Sequence, residues 1–351
     1  MDIYISGASQ ISMQEPLSTG WFTQPVLYDA SYRRSVEADY RQFIAPMAAR
    51  RMGRLLKRAI AVSSDALRQA GLDMPDAIIT GTGLGCIENT ENFLSAMTFQ
   101  GEELLQPTQF IHSTHNTIGA QVALHLHCHG YNSTFTHTGI SFESALADAC
   151  CQMQTGRIAT ALVGGHDEMT PGYFRLLEKT GYWKPDATQA RLRLADTPGA
   201  MAGETSVAMV LRNVCSDTAM ARIAGVSLLC KPDDRRLTEA VEELTQGTIP
   251  DALMTGRSGD CADARIYRHI SQMLYRDRVP ALWYKHVFGE SYTASAFGIL
   301  TAALCLQRQT VPAPWLLRPE DVGRLPQALQ NILCITQFQN KVYALTFLKS
   351  C

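Results

Sequence analysis

The chain has 351 residues, 46% of them hydrophobic, enough to bury a large core as one big domain or as two fused halves. A formal net charge of -2 and a pI near 6.5 leave no footprint for nucleic acid or for an anionic membrane surface. Ten cysteines without CxxC pairs or regular spacing exclude a small secreted disulfide scaffold and suit reduced thiols in the cytoplasm.

No basic segment followed by an apolar run opens the sequence, and its longest apolar runs, such as 296–306, are too short to span a bilayer. Asp2-Ile-Tyr-Ile-Ser-Gly7 reads as a first strand ending at glycine. A loop rich in Ser, Tyr and Pro reaches about Met47. A helix is then expected from Ala48 to Ala70, with Met52, Leu55, Leu56, Ala59 and Ile60 as its buried stripe and Gly71 as its stop. Its opposite face carries Arg50, Arg51, Arg54, Lys57 and Arg58 and is expected to be solvated, with docking of an acidic partner surface as the alternative. Ile78-Ile-Thr-Gly-Thr-Gly-Leu-Gly85 is a second strand with a glycine turn, followed by a short helix over 91–100 and by Pro107.

The stretch from Phe110 to Leu126 contains Asn116-Thr-Ile-Gly-Ala120, and five histidines fall in or near it: His112, His115, His125, His127 and His129. His125 and His129 are four apart, a helical ligand spacing beside Cys128, but no carboxylate or second thiolate completes a set, so no metal is expected. Thr134-Phe-Thr-His-Thr138 is rich in β-branched residues and reads as a strand that meets a helix at Gly139. The helix runs from Ser141 to Thr155, with Phe142, Ala145, Leu146, Ala149 and Met153 as its apolar stripe and Gly156 as a left-handed stop. Ala161-Leu-Val-Gly-Gly165 is a buried strand. The whole is a strand-to-helix elbow, the geometry on which many enzymes mount a nucleophile. Ser141 has no histidine base and reads as a helix cap, while Cys150 and Cys151 read as core.

Val207 to Leu211 closes the first round of elements, and the pattern breaks at Cys215-Ser-Asp-Thr218. A second round follows: a strand over 222–229, a helix over 236–246, a strand near 252–254, a helix over 262–275, a strand over 280–285 and a buried helix over 293–307. Ile332 to Gln337 and Val342 to Phe347 form a hairpin around Gln339-Asn340. Two similar β/α rounds place one half in 1–218 and the other in 219–351.

Over nearly the whole chain these landmarks resemble the ketosynthases of fatty acid and polyketide synthesis, which share the thiolase fold. The resemblance rests on the elbow, on Gly164-Gly165-His-Asp-Glu168, on the first two strand ends and on Met201-Ala-Gly-Glu204. It implies an α/β thiolase fold of two pseudo-duplicated halves in five layers, αβαβα. The family's catalytic cysteine falls at Gly139. Its first histidine, in a His-Gly-Thr-Gly-Thr turn, falls at Thr255 of Thr255-Gly-Arg-Ser-Gly259. Its second, five residues after a lysine, falls at Glu290 of Lys285-His-Val-Phe-Gly-Glu290. Lys285 is retained. The gating Gly-Phe-Gly-Gly loop of active members is expected to be missing.

Decarboxylative condensation needs a thiolate to carry the acyl chain and two imidazoles to activate it and to stabilise enolate and oxyanion. Glycine, threonine and glutamate supply neither. The resemblance therefore implies a pseudoenzyme subunit without cofactor or metal, most like the chain-length factors of bacterial aryl polyene clusters. Its implied partners are an active ketosynthase and an acyl carrier protein. The strand Asn132 to Thr138 (Asn132, Thr134, Phe135, Thr136, His137, Thr138) would pair across a two-fold axis. Phe110, His112, Ser113, Thr114, Thr117 and Ile118 would bound the acyl tunnel. Two other classes stay open: a diverged condensing enzyme or malonyl-thioester decarboxylase using Glu290 and Thr255, and a stand-alone acyl-binding module.

Overall fold

The computed structural model describes residues 2–101 and 105–351. In the first half the order is β1 (Ile3–Ile11), α1 (Pro46–Ala49), α2 (Arg54–Ala70), β2 (Ala77–Gly81), α3 (Ile87–Phe99), α4 (Pro107–Ser113), α5 (Thr117–Leu126), β3 (Tyr131–Phe135), α6 (Ser141–Gln154), β4 (Thr160–Asp167), α7 (Pro171–Lys179), α8 (Gln189–Leu194) and β5 (Thr205–Arg212). The second half runs β6 (Ala221–Cys230), α9 (Asp234–Thr245), β7 (Ala252–Thr255), α10 (Cys261–Tyr275), β8 (Ala281–Trp283), α11 (Lys285–Phe288), α12 (Ser295–Arg308), β9 (Asn331–Phe338) and β10 (Val342–Lys349).

Hydrogen bonding links all ten strands in the order β3-β2-β4-β5-β1-β6-β10-β9-β7-β8. Read from each end inwards, the second half repeats the first. β2 is parallel to β3 and β4, as β7 is to β8 and β9; β5 is antiparallel to β4 and β1, as β10 is to β9 and β6. The halves join where Ile3, Tyr4 and Ile5 face Ile223, Arg222 and Ala221. The three largest apolar clusters among the described residues lie between the layers. α2 and α5 cover the outer face of the first half of the sheet, α9 and α10 cover that of the second half, and α6 and α12 lie between the two halves. A helix covered on every side must be apolar all round, and every residue of α12 from Ser295 to Leu306 is buried. This is the five-layered thiolase arrangement expected from the sequence.

Several boundaries differ from the sequence reading. The helix expected from Ala48 breaks at Gly53, which caps α2, leaving α1 as a single turn. The helix expected over 91–100 starts earlier, at Ile87, and the strand expected over 280–285 stops at Trp283 because Lys285–Phe288 turns helical. The elbow strand ends at Phe135, so Thr136 and His137 lie in the connection and Thr138 opens a 3-10 turn. His127 caps α5 in a left-handed conformation (φ 54°), which takes His129 off the helix that carries His125. No cluster of three metal ligands occurs among the described residues. Cys151 is exposed, unlike buried Cys150.

Arg58 is the largest departure, since it is fully buried instead of solvated. Its Nη2 lies 2.5 Å from Glu37 Oε1, and its Nη1 lies 3.2 Å from Glu204 Oε2. Glu204 also accepts the backbone N–H groups of Ser35 (2.8 Å) and Met169 (3.1 Å), so one ion pair ties α2, the loop after β1, the end of β4 and the start of β5. Removing one partner of a buried pair leaves an uncompensated charge. Arg58→Ala is expected to cost about 3–5 kcal/mol in urea unfolding, whereas Arg235→Ala, at an exposed pair with Glu239, should leave the midpoint nearly unchanged.

Candidate functional site

The elbow is built by a buried serine. Ser141 Oγ accepts the His137 backbone N–H at 2.9 Å and donates to Thr138 O at 2.7 Å, closing the turn that joins β3 to α6. Ser141 is fully buried and is the first helical residue; the cap position itself is Ile140. Its hydroxyl is consumed in the turn, so it is not poised as a nucleophile. His137 shares a 2.9 Å hydrogen bond with Ser144.

Gly139 sits at the tip of this turn. A Cβ placed there would lie 2.6 Å from Phe338 Cδ2 and 2.8 Å from Phe338 Cγ. No side chain larger than hydrogen fits until that ring moves, and overpacking of this kind costs about 1–3 kcal/mol. The sequence reading treated the Gly-Phe-Gly-Gly loop as missing. Gln337-Phe-Gln-Asn340 stands at the corresponding hairpin, and its phenyl is the group that closes the elbow.

Thr255 ends β7, is buried and donates its hydroxyl to Leu282 O at 2.8 Å. Lys285 Nζ donates to Glu290 Oε2 at 2.7 Å, and both groups are largely buried. Burial raises the Glu290 carboxyl, Lys285 opposes that rise, and Asp263 adds to it. Glu290 is also held by its backbone, donating to Met201 O at 2.7 Å and accepting from Gly203 N at 3.0 Å. Two further carboxyls approach. Asp263 accepts from the backbone N–H (2.7 Å) and hydroxyl (2.9 Å) of Ser258, and Glu143 accepts from Ser295 Oγ at 2.9 Å. Burial raises both above the ordinary carboxylate range. The one ammonium of this group is already bonded to Glu290, which leaves no free cationic partner for a thiolate or an enolate among these side chains. His286 beside Lys285 is not such a partner either, since its Nε2 donates to Pro314 O at 3.0 Å and its ring stacks on Trp283 with centroids 3.8 Å apart.

The end of β4 completes the floor. Asp167 accepts from Thr82 Oγ1 (3.1 Å), Gly83 N (2.9 Å), Leu84 N (3.1 Å) and Thr293 Oγ1 (2.7 Å), pinning the glycine turn after β2 to the second half. His166 is held neutral, its pKa lowered to about 3 by burial. Glu168 Oε1 accepts from Glu88 N at 3.1 Å in the first turn of α3, while its other oxygen has no partner. Asp167, Glu168, Glu290, Tyr292 and Phe338 line a cavity of about 20 Å³. That is room for roughly one water.

The proposed tunnel residues lie elsewhere and do not line this cavity. Thr117 and Ile118 are buried, His112 and Ser113 are half-buried, and Thr114 is exposed. Ser113 Oγ donates to Phe110 O at 2.7 Å and Thr117 Oγ1 to Ile111 O at 2.8 Å, which fixes the bend between α4 and α5. Phe110 is 57% exposed, its ring centroid 5.4 Å from that of Phe93. β3 lies at the outer edge of the sheet and, among the described residues, pairs with β2 alone, leaving its other edge unpaired there. Asn132 Nδ2 donates to Gly119 O at 3.0 Å and Thr134 shares a 2.9 Å hydrogen bond with Thr80, so this edge is anchored on α5 and β2. The elements beside it, α3 to α5 and β3 itself, expose Leu94, Phe99, Phe110, Ile111, Leu124 and Tyr131. Phe338, Glu143 and Asp263 were not read from sequence. Only Phe338 left a signal, the one residue shared with the gating motif.

Glu168 supplies a test by pH. Burial lifts its carboxyl from 4.5 to about 7. A folded pKa above the unfolded one means that folding takes up a proton, so the stability it provides is full below about 4.5 and is lost as pH rises through about 7. The loss amounts to about 3 kcal/mol. Glu168→Gln should therefore flatten the fall of the unfolding midpoint between pH 5 and 8 and be the more stable protein at pH 8. Parallel pH curves for the two proteins would contradict this assignment.

A profile of the beta-ketoacyl synthase N-terminal domain matches residues 34–214. Among solved structures, the fold is similar to "the ishigamide ketosynthase/chain length factor", with TM-score 0.85 and 19% identity over 100% of this chain and 99% of that one. A type II PKS acyl-carrier protein in complex with its ketosynthase bound to the hexaketide gives 0.78 and 13%, and a beta-ketoacyl synthase from Burkholderia phymatum gives 0.76 and 14%, both over 100% of this chain and 99% of the other. No curated protein sequence matches. With the family profile spanning over half of its length, the chain belongs to the beta-ketoacyl synthase family.

Proposed function

We propose that this chain is a non-catalytic chain-length factor. It pairs with an active ketosynthase and bounds the tunnel in which that partner extends an acyl chain delivered by an acyl carrier protein. The observation that carries this reading is the closed elbow. Phe338 fills the space of a side chain at Gly139, and the cavity left beside Glu290 is about 20 Å³. An extended acyl chain needs many times that room. Thr255 and Glu290 stand where the family's histidines are expected, and neither is free, since one is bonded to Leu282 O and the other to Lys285. A decarboxylase working through Glu290 would need an open approach to a carboxylate that is instead largely buried and ion-paired.

Assembly follows from the edge of β3. An unpaired strand edge flanked by exposed apolar side chains is a template for another chain, and a partner strand from Asn132 onwards would complete the sheet and cover the patch. A solved ketosynthase/chain length factor of the same fold supports a ketosynthase as that partner. A complex of a ketosynthase with its acyl-carrier protein supports the carrier. The two halves, 1–218 and 219–351, act as one compact unit, and the pair works in the cytoplasm.

Chain length is then set by how far the partner's tunnel reaches against this chain. Phe110 to Ile118, spanning α4 and the start of α5, are the residues this reading assigns to that face. Each extension adds less length than a large side chain removes, and overpacking a wall costs about 1–3 kcal/mol, a factor of roughly ten or more in selection. In the reconstituted pair, Ser113→Phe should shorten the products and Phe110→Ala should lengthen them or broaden their distribution, read by mass spectrometry of carrier-bound chains. Unchanged lengths across a scan of Phe110 to Ile118, with the complex intact, would place the ruler elsewhere.

A further inference from the structure

At the opposite end of the sheet from β3, a cleft of about 770 Å³ lies beside β8, between α8, α10 and the segment after Leu316. It shares no lining residue with the closed cavity under Phe338, while Thr255 at the end of β7 borders it. Its walls carry four guanidinium groups, Arg193, Arg257, Arg268 and Arg318, against two carboxylates, Asp277 and Glu320. Arg318 Nε is already paired with Asp321 Oδ2 at 2.9 Å. Arg193, Arg257 and Arg268 form no ion pair among the described residues.

Arg257 makes the cleft a built site. It is 8% exposed, its Nη2 donates to Arg193 O at 2.9 Å, and its Nε has no partner among the described residues. Arg193 is fixed in turn, donating Nη1 to Leu316 O at 3.2 Å, with its guanidinium 5.1 Å from the ring centroid of Trp283. Arg268 on α10 is exposed and reaches the mouth. A buried guanidinium that meets only carbonyl oxygens is a cost to folding which a bound anion offsets. Planar, multi-donor forks converging from separate elements match the oxygens of a phosphoryl group better than a lone carboxylate. The volume lies in the range of small-molecule sites.

We propose that this cleft binds a small molecule carrying a phosphate or diphosphate, whose oxyanion is held by Arg257 and Arg268 with Arg193 alongside. The inference does not rest on the chain-length role. Pyrophosphate and inorganic phosphate are the probes, titrated into the full chain, alone or paired, and read by calorimetry and by Trp283 fluorescence beside Arg193. Saturable binding at physiological salt is expected. It should weaken about ten-fold in Arg268→Gln, where the side chain is exposed and the fold is untouched. Arg257→Lys, which keeps the charge and loses the fork, should weaken it by a similar factor. No saturable binding of either probe, a response reproduced by sodium chloride at equal ionic strength, or full affinity in Arg268→Gln would overturn the proposal.

Discussion

The ring of Phe338 and the missing side chain of Gly139 occupy one space, and the organisation of the site depends on that mutual exclusion. The ring enters from the β9–β10 hairpin of the second half, while the glycine is the tip of the elbow in the first half. The contact is possible because the two halves of the ten-stranded sheet both pack on α6 and α12. Once the ring is seated, the remaining cavity holds about one water, and the carboxyl groups around Lys285 become a buried polar cluster. Their raised proton affinities follow from burial first, with mutual repulsion second for Glu290.

The same scaffold is held by polar contacts that involve no substrate. Asp167, bonded to Thr82, Gly83, Leu84 and Thr293, and Glu204, bonded to Arg58, Ser35 and Met169, hold turns together. Neither depends on a substrate. These acidic residues near the elbow have structural partners that do not involve position 139.

Much of this was legible in the sequence. The alternation of β and α patterns in two rounds gave the duplicated fold, because the periods of apolar residues in α6, α12 and the paired strands are set by burial on one face or all faces. The hairpin at Gln339 and Asn340 was equally plain, and both residues adopt positive φ (53° and 56°). Arg58 was misread because a helix face is charged by type in sequence, whereas Glu37 and Glu204, which bury it, are distant in the chain. The break at Gly53 and the early end of β3 at Phe135 are boundary effects decided by neighbours. Phe338 was missed for a related reason. Its role is fixed by a contact across about 200 residues of chain, which no local pattern contains.

The claim on which the account turns is that this chain never carries the acyl group. Intact-mass measurement of both subunits, after the reconstituted pair meets acyl carrier protein loaded with an acyl thioester, tests it most directly. The account predicts an added acyl mass on the ketosynthase partner alone, with this chain unchanged. An acyl adduct on this chain, or a condensation product from this chain without its partner, would contradict it.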